Sequence, residues 1–200
     1  MADKRSRPLK TQPAFDIVAI AASAGGVVAL LQIVSELPAD FPATIVVVRH
    51  LDPRHPSLMP QIFGRRSSLP VNVAVEGMEV ERGHVYLAPP DRHLLINRAG
   101  TVSLTETELV NFVRPSADVL FESVAAAYGE RAIAVVLMGT GKDGSMGVTA
   151  IKKRGGTVIV QDETSAFFSM PSAAIRTGAV DLVLSLDEIA PALVTLVGGA

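Results

Sequence analysis

The chain has 200 residues, 48% of them hydrophobic, and a net charge of −2 at neutral pH. A chain of that size and apolar content buries a substantial core in one domain, and its charge balance argues against a general nucleic-acid binder, which is normally basic. It has no cysteine, which excludes a disulfide framework and a thiol nucleophile. No apolar run approaches the ~20 residues that span a bilayer, so a soluble cytoplasmic protein without direct membrane insertion is the expectation.

Residues 1–14 read as a disordered basic tail, with Lys4, Arg5, Arg7 and Lys10 and no apolar segment after them, so they do not form a signal peptide. Residues 15–200 read as one domain in which strands and helices alternate. Ile17–Ala21 is predicted as the first strand, and Val27, Leu30, Leu31 and Val34 follow at helical spacing. Thr44–Arg49 is a second strand, and Ser57–Arg66 a short helix containing Pro60. Between Val71 and Leu104 the rhythm breaks into short pieces separated by Gly, Pro and Asn: Val71–Val75, Val85–Ala88, Leu94–Ile96 and Val102–Leu104. These read as antiparallel strands of a small insertion. Alternation returns with a helix over Ser116–Tyr128, a strand over Ala132–Met138, a helix over Ser145–Arg154 and a strand over Thr157–Val160. A short helix at Ser172–Arg176, a strand at Leu182–Leu184 and a terminal helix from Asp187 complete the pattern. Nearly continuous apolar strands joined by helices predict an α/β, doubly wound, mostly parallel sheet with helices on both faces.

Chemistry in such a sheet gathers where strands hand over to loops at their C-terminal ends. After the first strand comes Ser23, followed by Ala24, Gly25 and Gly26. A serine lifted onto a glycine-rich strand-to-helix turn is well placed as a nucleophile. The same local pattern also binds phosphates, and many such serines are only helix N-caps. After the second strand comes His50, and after the Ala132–Met138 strand comes the loop Gly139-Thr140-Gly141-Lys142-Asp143-Gly144. A serine, a histidine and an aspartate thus share one edge of one predicted sheet, which supplies a nucleophile, a general base and a group to orient the base.

The Gly139–Gly144 loop also fits G-x-G-x-x-G, with Asp162 beyond the next strand, a formal dinucleotide fingerprint. A nucleotide-binding oxidoreductase is therefore a rival reading. Against it, the loop lies deep in the chain, and Asp143 would set a carboxylate against a pyrophosphate. His55 reads as a solvated or substrate-proximal residue of a polar loop. His84, Asp91 and His93 read as structural, since no further ligands stand at metal-site spacing, and no metal is expected.

Six ordered motifs now carry a resemblance: Ile20-Ala-Ala-Ser-Ala-Gly-Gly26, Val47-Val-Arg-His-Leu51, Tyr86-Leu-Ala-Pro-Pro-Asp-Arg-His93, Arg114-Pro-Ser-Ala-Asp-Val-Leu-Phe121, Met138-Gly-Thr-Gly-Lys-Asp-Gly144, and Gln161-Asp-Glu-Thr-Ser165 with Met170-Pro171. From about Asp16 onward the sequence resembles the catalytic domain of the CheB-type chemotaxis protein-glutamate methylesterases. The resemblance implies that residues 15–200 form a methylesterase catalytic domain, with Ser23 as nucleophile, His50 as base and Asp143 as the triad aspartate. It implies a serine hydrolase that demethylates glutamate methyl esters on helices of a methyl-accepting chemoreceptor or another methylated protein, and the same machinery suits glutamine deamidation. No cofactor is implied. Oxyanion donors are expected among Ala24, Gly25 and Gly26 and in the loop at Thr140 and Gly141.

Three features depart from the family pattern. A receiver domain usually precedes the catalytic domain, whereas only the tail precedes the first strand here. The expectation is activity without phosphorylation, with any control coming from a separate receiver-domain regulator. The small polar residue that often follows the nucleophile is Ala24. Where the family usually has Met before the triad Asp, this chain has Thr140, a change that leaves a backbone donor in place. A catalytically silent binding module of the same fold is the remaining alternative.

Overall fold

The computed structural model describes residues 15–50 and 58–198. The basic tail, His55 and the first residue of the expected 57–66 helix lie outside the described residues.

In chain order the elements are β1 (Ile17–Ala22), α1 (Gly26–Glu36), β2 (Thr44–Arg49), α2 (Met59–Gly64), β3 (Val71–Val73), β4 (Val85–Leu87), β5 (His93–Ile96), β6 (Val102–Thr105), α3 (Ala117–Tyr128), β7 (Ala132–Val136), α4 (Ser145–Lys153), β8 (Thr157–Gln161), α5 (Ser169–Ile175), β9 (Leu182–Leu184) and α6 (Leu186–Gly198). Pro60 falls in the first turn of α2, where its missing N–H removes no helical bond, so it starts the helix without disturbing it.

Seven strands form one sheet in the order β3-β4-β2-β1-β7-β8-β9, and all of its pairings are parallel. All six residues of β1 are buried, and their side chains alternate between the two faces. Ile17, Ala19 and Ala21 join a core formed with α3, α4 and α5, including Leu120, Phe121, Val148 and Met170. Val18, Ile20 and Ala22 join a second core with α1, α2 and α6, including Leu30, Ile33, Phe63 and Leu193. Burial on both faces explains why the strands read as continuous apolar runs rather than as alternating ones.

The 71–104 region corrects one detail. β3 and β4 are not antiparallel strands of an insertion: β3 pairs parallel with β4, and β4 parallel with β2, at the edge of the main sheet. The eleven residues between Val73 and Val85 form a crossover rather than a hairpin turn. Among the strands of the described residues, β5 and β6 alone pair antiparallel, as a separate hairpin closed at Asn97–Gly100.

The sheet order reverses direction at β1. The chain moves from β1 outward to β2 and β4, then returns to lay β7 on the other side of β1. Loops leaving β1 and β7 therefore diverge to opposite faces and open a crevice at the carboxyl edge, the usual ligand position in such sheets. Ser23 follows β1, and the Gly139–Gly144 loop follows β7.

Candidate active site

Ser23 sits where β1 stops. Its N–H donates to the Met138 carbonyl at 3.0 Å, and its carbonyl accepts the Gly26 N–H at 2.9 Å, closing a tight turn into α1. Gly25 takes φ +75°, and a Cβ there would lie 2.7 Å from Met138 Sδ; one on Gly26 would lie 2.5 Å from Ala22 Cβ. Gly26 is thus required by space, and Gly25 by its left-handed backbone conformation. Ser23 is recessed, at 9% exposure.

His50 follows β2 directly, and its N–H donates to the Ala22 carbonyl, which ties it to the strand carrying Ser23. Its Nδ1 lies 3.0 Å from Ser23 Oγ. Its Nε2 lies 2.8 Å from Asp143 Oδ2. An ionised carboxylate can only accept, so Nε2 carries the proton and Nδ1 presents its lone pair to the serine hydroxyl. The ring is used in the opposite sense to the serine-protease arrangement, where Nε2 faces the serine.

Asp143 is nearly fully buried, yet its oxygens are well satisfied. Oδ1 accepts the Ser116 hydroxyl at 2.6 Å, and Oδ2 accepts the Ala117 N–H at 2.6 Å in addition to His50. A longer bond comes from the Asp118 N–H at 3.3 Å. The carboxylate therefore occupies the N-terminus of α3, where unpaired amides and the helix dipole favour a negative charge. Burial by itself would raise the Asp143 carboxyl, but hydrogen bonds from His50, Ser116 and Ala117 outweigh it and hold the group below the usual carboxylate range.

A second buried carboxylate stands beside it. Asp118, in the first turn of α3, accepts the Gly147 N–H of α4 at 2.8 Å. The Asn111 amide donates to Asp118 Oδ2 at 2.8 Å and to Asp143 Oδ1 at 3.4 Å, spanning both acids. Burial pushes the Asp118 carboxyl up, and the neighbouring Asp143 charge adds to the rise against the Gly147 hydrogen bond.

The loop after β7 passes close to the serine. Gly139 donates its N–H to the Phe167 carbonyl and accepts the Met170 N–H. A Cβ on Gly139 would meet Met170 Sδ at 2.4 Å and Ser23 Cβ at 2.7 Å. Thr140 and Gly141 are exposed, whereas Asp143 beyond them is buried. Of the expected oxyanion donors, Gly26 already spends its N–H on the Ser23 carbonyl. The N–H groups of Ala24, Gly25, Thr140 and Gly141 donate to no acceptor among the described residues.

The remaining expectations fall elsewhere. His93 is fully buried and accepts the Ser116 N–H at Nδ1, while its Nε2 faces the Glu108 carbonyl at 3.0 Å. It therefore braces the residue that bonds Asp143. His84 faces the Tyr86 hydroxyl, and Asp91 pairs with Arg114. No cluster of His, Asp or Glu suited to a metal ion occurs among the described residues. Asp143 does not face out of the Gly139–Gly144 loop, so the charge objection to a dinucleotide does not apply; its carboxylate turns into the protein, caps α3 and bonds His50, which places the loop's acid with Ser23 and His50 instead. Sequence reading missed Ser116, Asn111 and Asp118 as parts of the site. They lie between or within the quoted motifs, but only the packing of α3 against α4 brings them to Asp143.

The chain matches the family model described as CheB methylesterase over residues 18–193. A protein-glutamate methylesterase/protein-glutamine glutaminase of Moorella thermoacetica is 41% identical over 194 residues, covering 94% of this chain and 46% of that protein. One of the same name from Pyrococcus horikoshii is 41% identical over 189 residues, covering 92% of this chain and 51% of that protein. The chain thus spans about half the length of these curated relatives. The crystal structure of the Thermotoga maritima CheB methylesterase catalytic domain superposes with a TM-score of 0.86 at 39% identity, covering 90% of this chain and 97% of that one. On its family match, its relatives and its fold, this chain belongs to the CheB methylesterase family.

Proposed function

We propose that this domain is a protein-glutamate methylesterase that works through a serine acyl-enzyme. The observation that carries the reading is the single ring of His50, which bridges the hydroxyl of Ser23 and the buried carboxylate of Asp143. The family membership supplies the substrate class.

Ser23 Oγ attacks the δ-carbonyl carbon of a glutamate methyl ester as its proton passes to His50 Nδ1. The ring becomes imidazolium, and Asp143 stabilises that charge through Nε2–H without taking the proton. The oxyanion takes hydrogen bonds from backbone N–H groups among Ala24, Gly25, Thr140 and Gly141, which are already oriented before reaction. Collapse breaks the C–O bond to the methoxy group, which leaves as methanol with the proton from Nδ1. Water then attacks the acyl-enzyme with Nδ1 as base, and the products are free Ser23 and a glutamate carboxylate. A glutamine side chain entering the same path would release ammonia and give the same acyl-enzyme.

The substrate in this reading is a methylated chemoreceptor, or another protein carrying a methylated glutamate, with control exerted by a receiver-domain regulator. The protein acts on the cytoplasmic side. Among the described residues no helix is long and apolar enough to cross a membrane. The test is methanol release from methylated chemoreceptor membranes. The wild type should release methanol and Ser23→Ala should fall to background with unchanged circular dichroism. Release by Ser23→Ala at the wild-type rate would refute the mechanism.

A further inference from the structure

Phe112 is 95% exposed, more than any other large hydrophobic side chain among the described residues. It sits at φ +65°, next to Asn111 at φ +51°. Val110 and Val113 exchange both backbone hydrogen bonds around the pair, at 3.2 and 3.0 Å, so Asn111-Phe112 is a two-residue hairpin turn with both central residues left-handed. Asn suits the first of these positions, and the second is ordinarily Gly. A bulky aromatic there is a genuine backbone outlier. The ring gains nothing from the fold in return, because it is almost wholly in solvent. Strained residues of this kind gather at functional sites, where the surrounding structure holds them.

The turn is also fastened to the catalytic machinery. The Asn111 amide reaches Asp118 at 2.8 Å and Asp143 at 3.4 Å, so the backbone that carries Phe112 is tied to the triad carboxylate. Leu109, on the same loop, is 55% exposed. Met146, in the first turn of α4 beside the Gly147 that bonds Asp118, is 65% exposed, and Val28, in the first turn of α1 after Ser23, is 72% exposed. Scattered apolar residues on a surface need no explanation, but these lie on the segments that hold the triad. Ser23 and His50 are themselves recessed, at 9% and 13% exposure. A glutamyl side chain that reaches the recessed Ser23 keeps its own backbone and neighbouring side chains outside, where exposed apolar groups can meet them.

We propose that Phe112 is a docking anchor for the protein substrate, receiving an apolar side chain that flanks the modified glutamate. The inference rests on the methylesterase reading above. Aromatic residues at the centre of an interface often carry a large share of its energy.

The test uses Phe112→Gly, which deletes the ring at a backbone angle that glycine prefers. The melting temperature should be equal to or higher than wild type. The KM for methylated chemoreceptor should rise by about tenfold or more. The ratio of kcat/KM for receptor to that for a small activated ester should fall by a similar factor, about tenfold. An unchanged ratio would overturn the proposal, and so would an equal fall in both kcat/KM values. A wild-type dimer that Phe112→Gly dissolves would mean that the ring docks a second copy of this chain instead. A wild type that cleaves the small ester yet releases no methanol from the receptor would refute the methylesterase reading itself, and the anchor's occupant with it.

Discussion

Asp143 and Asp118 exchange helix caps. Asp143, just ahead of α4, accepts the first N–H of α3 at 2.6 Å, while Asp118, in the first turn of α3, accepts the Gly147 N–H of α4 at 2.8 Å. The two helices thus lock each other's N-termini, and the lock sets the position of the carboxylate that faces His50. In the proposed mechanism, catalysis and local stability draw on the same bonds.

Asp143→Asn should lower kcat by up to about four orders of magnitude, as in the serine-protease worked example. The neutral amide can donate to His50 and so favours the wrong tautomer, leaving Nδ1 without a free lone pair for Ser23. Steady-state hydrolysis of a small activated ester measures this directly. A loss of less than about tenfold would show that Asp143 does not set the tautomer.

Asp118→Ala should destabilise the domain by about 1–3 kcal/mol, because it leaves the buried Gly147 N–H without its acceptor. Asp118→Asn should cost less, since it keeps an acceptor oxygen and removes a charge whose burial is unfavourable. Urea denaturation of the two variants ranks them, and the reverse order would contradict the capping role.

The acid side of the stability profile follows from Asp143. Its folded carboxyl titrates below the usual range, so it contributes stability above its unfolded-state value. That contribution is lost as the pH falls through the unfolded-state value and on through the lower folded one. Asp118 has the opposite sign: its raised folded value favours the protonated form, so ionising it weakens the fold as the pH rises. Melting temperatures recorded downward from neutral pH should fall in the wild type and fall less in Asp143→Asn. Parallel curves would remove Asp143 as the source.

Gly139→Ala should reduce activity more than it reduces stability. The added methyl would stand 2.7 Å from Ser23 Cβ and 3.2 Å from Ser23 N, so Ser23 or the loop must shift. Small displacements of a reacting group are costly, on the order of 100-fold for 1 Å. Kinetics together with thermal melting separate the two effects, and wild-type activity would show that the backbone there yields freely.

The strand ends carried most of the site in the sequence itself. Ile17–Ala22 is an uninterrupted apolar run that stops at Ser23, and Ile45–Val48 within β2 is another that stops two residues before His50, because both faces of their sheet are covered and the candidate residues follow where the apolar runs end. Asp143 was legible by the same logic after β7. The edge strands β3 and β4 were not, since three-residue strands carry no periodicity that could distinguish parallel from antiparallel pairing. Ser116 and Asn111 were hidden for another reason. A serine ahead of a helix reads as an N-cap, yet in the fold its hydroxyl serves the carboxylate that takes over capping.

The central claim is that Ser23 is a nucleophile activated by His50 and Asp143. Its most direct test is intact-protein and peptide mass spectrometry after treatment with a fluorophosphonate. The account predicts one adduct per chain, on Ser23, forming far more slowly in Asp143→Asn and not at all in Ser23→Ala. Labelling at another residue, or labelling of Ser23 at an unchanged rate in Asp143→Asn, would contradict it.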